Sequence, residues 1–492
     1  MNSADKILVI DEGTTSTRAM LFDPDGRALG STQRPLTQHY PAPGLVEHDA
    51  AEIWALTLDC AREMVTQAGG PGAIAGIGIT NQRETVVFWS RRTGEPLAPA
   101  IVWQDRRTAD ICRTLKDAGH EPIVQAKTGL LLDPYFSGSK IGWALENWPQ
   151  LRDAGDDLMV GTVESWLVFK LTGGAHVSDA TNASRTALMA IGASGWDDGL
   201  LDLFGVPRAI LPEIVDCAGP IATTDAELFG APIAITGMAG DQQAATIGQG
   251  CLDPGQTKAT YGTGAFVLSN TGRSLPQSRN RLLSTICWQV SGERHYALEG
   301  SVFVAGSLIQ WLRDELRLIA SAPESEPLAR SVADNGGVYL VPALSGLGAP
   351  HWEPGARAAV TGLSFSTGRA HIVRAALEAM AHQTSDLKGA FAADGCDWQE
   401  LRIDGGMVAN DWMAQDLADM LDLTVERPAF AETTAMGAAM LAGVGAGLFG
   451  SLRDAAAMRG AVTRFTPAID GAVRAARLDG WSVAMKAVLA GA

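Results

Sequence analysis

The stretch ILVIDEGTTSTRAMLFD, residues 7–23, sets an acid, Asp11, and four hydroxyl side chains, Thr14, Thr15, Ser16 and Thr17, around Gly13 between two apolar runs. The pattern reads as a strand, a tight glycine turn and a second strand. A tip lined by hydroxyls and backbone N–H groups carries more donors than its own backbone uses, and phosphate is the ligand that accepts from such an array. TKATYGTGAFVLSNTG (257–272) repeats the logic with the turn Gly262-Thr263-Gly264. Two further clusters place charge at strand ends. NQRETVVFW sets Arg83 beside Glu84, and APIAITGMAGDQQAATIG (231–248) reads as a strand, glycine turns and a helix beginning near Gln242, with Asp241 just ahead of it. Taken alone, the Arg-Glu pair reads as solvated surface and Asp241 as a helix N-cap.

These side chains need a scaffold, and the sequence outlines one. AIAGIGITNQRETVVFW (73–89) is strand, polar turn, strand. ELRIDGGMVANDWMAQDLADML (400–421) is a strand ending in Asp404-Gly405-Gly406, then a helix with Met413, Leu417 and Leu421 on one face. A Thr/Gly-rich hairpin near the start of each half is what duplication of an α/β domain leaves behind. Gly and Pro punctuate GQGCLDPGQT, which puts the boundary near residue 250 and divides the chain into 1–249 and 250–492.

Composition narrows the function classes. At 492 residues the chain is too long for one ordinary core. Hydrophobic residues make up 46% and charged ones 19%, the balance of a folded and soluble protein. A formal net charge of −17 argues against nucleic acid and against anionic membrane surfaces, both of which need clustered Lys and Arg. The six cysteines are isolated, with no C-x-x-C pair, and read as buried thiols in a reducing compartment. MNSADKILVI is too short and polar for a signal peptide, so the cytoplasm is the expected location. The eight histidines are scattered without metal spacing.

Two stretches imitate other functions. Residues 433–452, TTAMGAAMLAGVGAGLFGSL, are uncharged but rich in Ala and Gly, and read as a buried, closely packed helix rather than a membrane span. The GAGLFG within them follows a helix, whereas the dinucleotide-binding G-x-G-x-x-G leaves a strand. There is no G-x-x-x-x-G-K-[ST], so a nucleotide is held without a P-loop.

Nine stretches in order, DEGTTSTR, GITNQRETVVFW, IVWQDRRT, LDPYFSGSK, GMAGDQQAA, TYGTGAF, YALEGSVFVAGSLIQWLRDEL, LSGLGAPHW and RIDGGMVAND, resemble the FGGY family of carbohydrate kinases. The family lies within the actin, hexokinase and heat-shock-chaperone ATPase superfamily, and the likeness runs from about Lys6 to Trp481. It implies an α/β fold of two ribonuclease-H-like, actin-like ATPase domains flanking a catalytic cleft, and phosphorylation of glycerol by ATP with Mg²⁺. By the same resemblance Thr14, Thr15, Ser16 and Arg18 hold the triphosphate from one side and Thr263 from the other. Asp11 holds Mg²⁺ through water. Arg83, Glu84, Tyr135 and Gln242 match the ligands of glycerol, and Trp103 and Phe266 the aromatic walls beside it. Asp241 matches the base that takes the hydroxyl proton and also touches the polyol. Gly306, Gln310, Gly406 and Asn410 match adenosine-side contacts. A cytoplasmic homo-oligomer, dimer or tetramer, is implied as well.

The sequence departs from the family pattern twice. Most members carry Gln where Glu12 stands, which leaves open whether a carboxylate faces the phosphate tip, turns away or pairs with a cation. Many bacterial members also carry a basic glycine-rich loop that binds fructose 1,6-bisphosphate, whereas AELFGAPIAITG (226–237) contains no Lys or Arg. Other readings are another polyol or sugar kinase of the family, such as one for erythritol or xylulose, and an ATP-driven binding protein of the superfamily. Arg83, Glu84 and Asp241 speak against the last, which has no polyol to bind or deprotonate.

Overall fold

The computed structural model describes residues 4–353 and 355–491. Its spine is one mixed sheet of 13 strands among the described residues. In chain order these are β1 (Lys6–Glu12), β2 (Ser16–Phe22), β3 (Ala28–Pro35), β4 (Ile74–Asn81), β5 (Ala218–Thr223), β6 (Ala234–Gly240) and β7 (Gln256–Tyr261). They continue with β8 (Ala265–Gly272), β9 (Leu283–Val290), β10 (Glu293–Val302), β11 (Glu400–Asp404), β12 (Val425–Pro428) and β13 (Val462–Phe465). Across the sheet they run β13-β12-β11-β7-β8-β10-β9-β5-β6-β4-β1-β2-β3.

That order contains one unit twice. The antiparallel hairpin β1-β2 has β4 and then β6 parallel to its first strand, and the hairpin β7-β8 has β11 and then β12 in the same relation. The units join where β5 meets β9, through the single pair Ala218 and Val290. The expected repeat of an α/β unit is therefore present.

Five helices position the residues discussed below: α1 (Ala50–Ala68), α2 (Asp241–Gly248), α3 (Gly306–Asp314), α4 (Asp411–Leu421) and α5 (Thr433–Gly445). Alternation along β1 explains its unbroken apolar run. Leu8 and Ile10 pack with Ile53, Cys60 and Met64 of α1, while Ile7 and Val9 pack on the opposite face with Ala435, Ala438 and Ala439 of α5. A strand covered on both faces has no side for polar residues. Asp49 caps α1 by accepting from the Ala51 N–H (2.8 Å), and Gly69 ends it at φ 96°.

The Ala/Gly stretch at 433–452 is the buried helix it reads as, ending at Gly445. Its composition follows from backbone-close packing. A Cβ on Gly437 would lie 1.8 Å from the Ala244 carbonyl oxygen of α2, and one on Gly248 would lie 2.0 Å from the Thr433 carbonyl. Gly78 of β4 and Gly237 of β6 leave room for α5 in the same way, at 2.4 Å from Ala438 O and Ala442 N. Among the described residues no helix is long and apolar enough to cross a membrane. All six cysteines are free and buried.

Two local expectations fail. Gly237 and Gly240 lie inside β6 and form no turn, because Gly237 is demanded by the passing helix rather than by chain reversal. Nor do the strands of 73–89 pair. After β4 the chain leaves the main sheet, and Val86–Ser90 enters a separate four-stranded sheet with Glu47–His48, Ala100–Ile101 and Leu158–Thr162. The departure occurs at Arg83-Glu84, where Glu84 takes φ 63°. Residues 226–237 form one helical turn, Ala226–Phe229, ended by Gly230 at φ 86°, and run on into β6.

The crossing of α2 and α5 yields a stability prediction. Gly437→Val forces side-chain atoms into the α2 backbone and should cost about 3 kcal/mol or more. Gly389, in the helix Arg369–Ala393, has open space around its missing Cβ, so Gly389→Ala should instead stabilise by about 0.5–1 kcal/mol. Urea unfolding of the two variants beside the parent measures both, and a Gly437→Val protein of parental stability would contradict the packing.

Candidate active site

The first hairpin tip is held from several directions. The Gly13 N–H donates to the Ser16 carbonyl (3.0 Å), closing the turn. The Trp103 indole N–H donates to Thr14 Oγ1 (2.9 Å), Gln38 Nε2 to the Thr14 carbonyl (2.6 Å) and Gln82 Nε2 to the Gly13 carbonyl (3.1 Å). His48 stands between the two glutamines. Its Nε2 lies 2.9 Å from Gln38 Oε1, and its Nδ1 faces Gln82 Nε2 at 3.4 Å. An amide oxygen only accepts and an amide nitrogen only donates, so the imidazole is neutral with its proton on Nε2. Burial, with His39 nearby, pulls its pKa from the ordinary 6.5 to about 4. The scattered histidines thus include one structural support of the first hairpin tip. Thr15 is exposed, and Ser16 Oγ accepts from Gln33 Nε2 (2.7 Å), which leaves its hydroxyl proton free.

Asp11 and Glu12 point to opposite faces of β1, as strand alternation requires. Asp11 pairs across the hairpin with Arg18. Its pKa is raised to about 7, chiefly by burial, against the pull of Arg18 and with a push from Asp241 and Glu432. Glu12 turns away from the tip into the layer beneath α1. It accepts from Thr17 Oγ1 (2.6 Å) and Thr57 Oγ1 (3.3 Å), and burial pushes it up to about 8. Burial thus favours its uncharged form, and the carboxyl faces away from the tip.

Arg83 is the hub of the neighbouring cluster. Its Nε lies 3.2 Å from Asp241 Oδ1, its two terminal nitrogens lie 2.7 and 3.1 Å from the two oxygens of Glu299, and Tyr135 Oη is 3.5 Å away. Gln243 Oε1 accepts from the same guanidinium at 3.3 Å. Glu84 Oε1 accepts from Arg185 Nε (2.7 Å), and Arg185 reaches Glu299 as well (3.2 Å). Burial favours protonation of Glu299, but Arg185 and Arg83 outweigh it and hold the carboxyl at about 2. The Glu84 carbonyl accepts from Ser137 Oγ (3.1 Å) and lies 3.5 Å from Lys140 Nζ, which also donates to the Tyr135 carbonyl (2.6 Å). Burial lowers Lys140 to about 7. The Trp103 and Tyr135 rings meet edge to face at 5.6 Å.

Asp241 is the first residue of α2, with Gly240 as the N-cap, so the capping reading does not describe it. Its carboxylate accepts from the Gln242 N–H (2.6 Å) and stays one-third exposed. Gln242 Oε1 accepts from Lys258 Nζ, which also donates to Thr260 Oγ1 (2.8 Å). Phe266 stands half-buried on β8, opposite Thr260 and Ser301.

The second hairpin tip docks on the start of α3. The Thr263 carbonyl accepts from the N–H groups of Ala305 (2.9 Å) and Ser307 (3.1 Å), and the Gly306 N–H donates to the Gly262 carbonyl (2.8 Å). A Cβ on Gly306 would lie 2.6 Å from that carbonyl oxygen, and one on Gly405, at φ 94°, would lie 2.5 Å from Tyr261 O. The two glycines therefore let three segments converge at backbone distance, with Gly406 in open space beside them. Gln310 is exposed on α3. Asn410 caps α4 through Met413 N (2.9 Å) and donates to Ser325 Oγ (3.3 Å), leaving one amide hydrogen free. Glu432, just before α5, pairs with Arg18, and Thr433 Oγ1 donates to Asp404 (2.6 Å).

The structure thus gathers Asp11, Thr14, Arg18, Arg83, Glu84, Trp103, Tyr135, Asp241 and Gln242 in one region. Sequence reasoning missed Arg185, Lys258, Glu299, Glu432, His48 and Lys140. A charged residue inside a buried run, such as Glu299 within YALEGSV, was the available signal, since such a group must find a partner. Among the described residues no three His, Cys, Asp or Glu side chains cluster to hold a metal by themselves.

Residues 6–248 match the profile of the N-terminal domain of the FGGY family of carbohydrate kinases, and residues 257–446 match that of its C-terminal domain. The chain is 54% identical over 488 residues to a glycerol kinase of Rhodospirillum rubrum, covering 98% of each. It is 55% identical over 492 residues to one from Methylobacterium nodulans, again covering 98% of each. The fold matches a crystal structure of Plasmodium falciparum glycerol kinase with ADP at TM-score 0.94 and 36% identity, covering 99% of both chains. It matches a xylulose kinase from Rhodospirillum rubrum at TM-score 0.87 and 25% identity, covering 98% of both.

The neutral His48 gives a pH prediction. Between its unfolded value of 6.5 and its folded value of about 4, the unfolded chain binds a proton that the folded site refuses. Stability is therefore lost as pH falls through that window, by up to about 3 kcal/mol at its lower end. His48→Gln removes this slope, so the variant should gain about 1–3 kcal/mol relative to the parent between pH 7 and pH 4.5. Identical pH dependence of the two proteins in chemical denaturation would show that His48 does not carry it.

Proposed function

This chain belongs to the FGGY family of carbohydrate kinases, and from that premise we infer that it transfers the γ-phosphoryl group of ATP to glycerol, giving glycerol 3-phosphate and ADP. The observation that carries the reading is Asp241 beside Arg83, 3.2 Å from Nε to Oδ1. A half-open carboxylate abuts a guanidinium that also faces Tyr135 and shares its turn with Glu84.

Phosphoryl transfer through a loose transition state asks the protein mainly to position groups, neutralise charge and exclude water. In this reading Arg83, Glu84, Tyr135 and Gln242 take the hydroxyls of glycerol, and its carbon chain lies along Trp103 and Phe266. Because these groups read hydroxyls, an analogue lacking one leaves a buried polar partner unmatched. Asp241 takes the proton of the attacking hydroxyl as that oxygen bonds to the γ-phosphorus, and the bond from phosphorus to the β–γ bridging oxygen breaks. Thr14, Thr15, Ser16 and Thr263 donate to the phosphates. Arg18 exchanges Glu432 for a phosphate oxygen. Gly306, Gln310, Gly406 and Asn410 line the adenosine side.

Mg²⁺ is part of the same proposal. Asp11 is a carboxyl whose neighbours Asp241 and Glu432 oppose its ionisation while only Arg18 favours it, which suits a site that receives a cation. Among the described residues no three His, Cys, Asp or Glu side chains cluster to enclose the ion, so water and phosphate oxygens would complete its shell. When bound, it neutralises charge on the transferred phosphoryl group. A cytoplasmic homo-oligomer completes the proposal, and light scattering on the purified protein measures the assembly.

Two substitutions test the reading. Asp241→Asn keeps the shape and the acceptor oxygen for Gln242 N–H but accepts no proton at neutral pH, so kcat should fall roughly 10²–10⁴-fold with folding intact. A normally melting variant that keeps more than about a tenth of parental kcat removes Asp241 as base. Arg83→Ala should lower kcat/KM for glycerol by about 2–4 kcal/mol while nucleotide affinity changes little. An equal loss on both substrates would move Arg83 to the nucleotide side.

A further inference from the structure

We propose that Glu299 and Arg185 are positioning residues of the acceptor subsite, which aim Arg83 and Glu84 at the polyol without touching it. The proposal rests on reading Arg83 and Glu84 as polyol ligands. The juxtaposition that carries it is a closed ring of four charged side chains: Glu299 on Arg83, Arg83 beside Glu84, Glu84 on Arg185, and Arg185 back on Glu299. None of the four side chains is more than 2% exposed, and the ring holds two positive and two negative charges. Buried charges persist when matched in this way, and deletion of one leaves its partner uncompensated.

Donor counting shows what the ring leaves over. Arg83 has five N–H groups. Glu299 takes one from each terminal nitrogen and Gln243 takes another, while Nε faces Asp241 in an ion-pair contact of 3.2 Å. The remaining one points toward Tyr135 Oη at 3.5 Å, too long for a firm bond. The donors that Glu299 and Gln243 leave over thus face Asp241 and Tyr135, and the two-point fork to Glu299 fixes their direction. On Glu84, Arg185 holds Oε1, which leaves Oε2 to accept. The arrangement turns two flexible charged side chains into an oriented guanidinium edge and one oriented acceptor.

The ring also crosses the chain's halves. Arg83 and Glu84 follow β4, Arg185 follows the short helix Ala180–Ala183, and Glu299 lies on β10. β10 pairs with β8, setting Glu299 against Leu268 and Ser301 against Phe266. The strand that backs the second hairpin therefore also orients the polyol subsite.

The test compares Arg83→Ala, Glu299→Gln, Arg185→Lys and the Arg83→Ala/Glu299→Gln double variant, with KM for glycerol and for ATP measured separately. Glu299→Gln keeps the shape but loses the two-point fork, and should raise glycerol KM by about tenfold or more while ATP KM stays within about twofold. Arg185→Lys keeps the charge but cannot serve Glu84 and Glu299 together, and should shift glycerol KM in the same direction. Because Glu299 acts through Arg83, the double variant should be no worse for glycerol than Arg83→Ala alone. If Arg83→Ala leaves glycerol KM unchanged, the polyol-site reading itself fails. If Arg83→Ala impairs glycerol but a folded Glu299→Gln keeps glycerol KM within about twofold, the positioning role alone is overturned. Equal rises in both KM values, additive losses in the double variant, or failure of both Glu299→Gln and Arg185→Lys to fold would also overturn it, since the ring would then serve only the fold.

Discussion

A guanidinium taken out of water must be matched on every side, and Arg83 shows how much of the molecule that constraint recruits. Its partners come from the start of α2, from the middle of β10 and from the loop that carries Tyr135. Gln243 of α2 also accepts from Arg83 directly, and neutralising Glu299 in turn brings in Arg185 and through it Glu84. The result is a polar interior that contributes little net stability, because desolvation offsets most of its Coulombic gain. What it provides is a set of donors and acceptors that orient one another, the kind of preorganisation that lowers the reorganisation a reaction needs.

The polar centre exists only because two helices can approach closely. α2 starts at Asp241, and the chain entering α5 carries Glu432 and Thr433, so the Asp241 carboxylate and the partner of Arg18 hang from one crossing. Gly248 and Gly437 let the two backbones meet without intervening side chains. Larger residues at these points would separate the helices and pull Asp241 away from Glu432 and its partner Arg18. The Ala/Gly composition that imitates a membrane span or a dinucleotide motif is thus a packing requirement.

Asp11 and Glu12 illustrate how environment divides two adjacent carboxyls. One faces the cleft near Asp241 and Glu432, the other sinks beneath α1 on two threonine hydroxyls. Alternation of the strand alone separates them, and burial then favours the uncharged form of Glu12. His48 is a parallel case: two glutamines set its tautomer, and those glutamines hold the carbonyls of the first hairpin tip. In both cases the chemistry of the side chain is decided by what covers it.

Local pattern carried a great deal of this protein. The two hairpins, the strand leading to Asp241, the repeat of an α/β unit and the buried Ala/Gly helix are written in residue periodicity and turn composition, because strands and tight turns depend on neighbours a few positions apart. The motifs around Arg83-Glu84 and Asp241 were visible too, although their surface and N-cap readings had to be overruled. The tertiary structure alone decided the rest. Glu299 meets Arg83 across 216 positions of chain, and Glu432 meets Arg18 across 414. No local pattern encodes such pairs. Which face Glu12 shows the nucleotide cleft, where the strand after β4 goes, and which histidine matters all follow from how the sheet order brings distant segments together, and that order is set by the packing of the whole core.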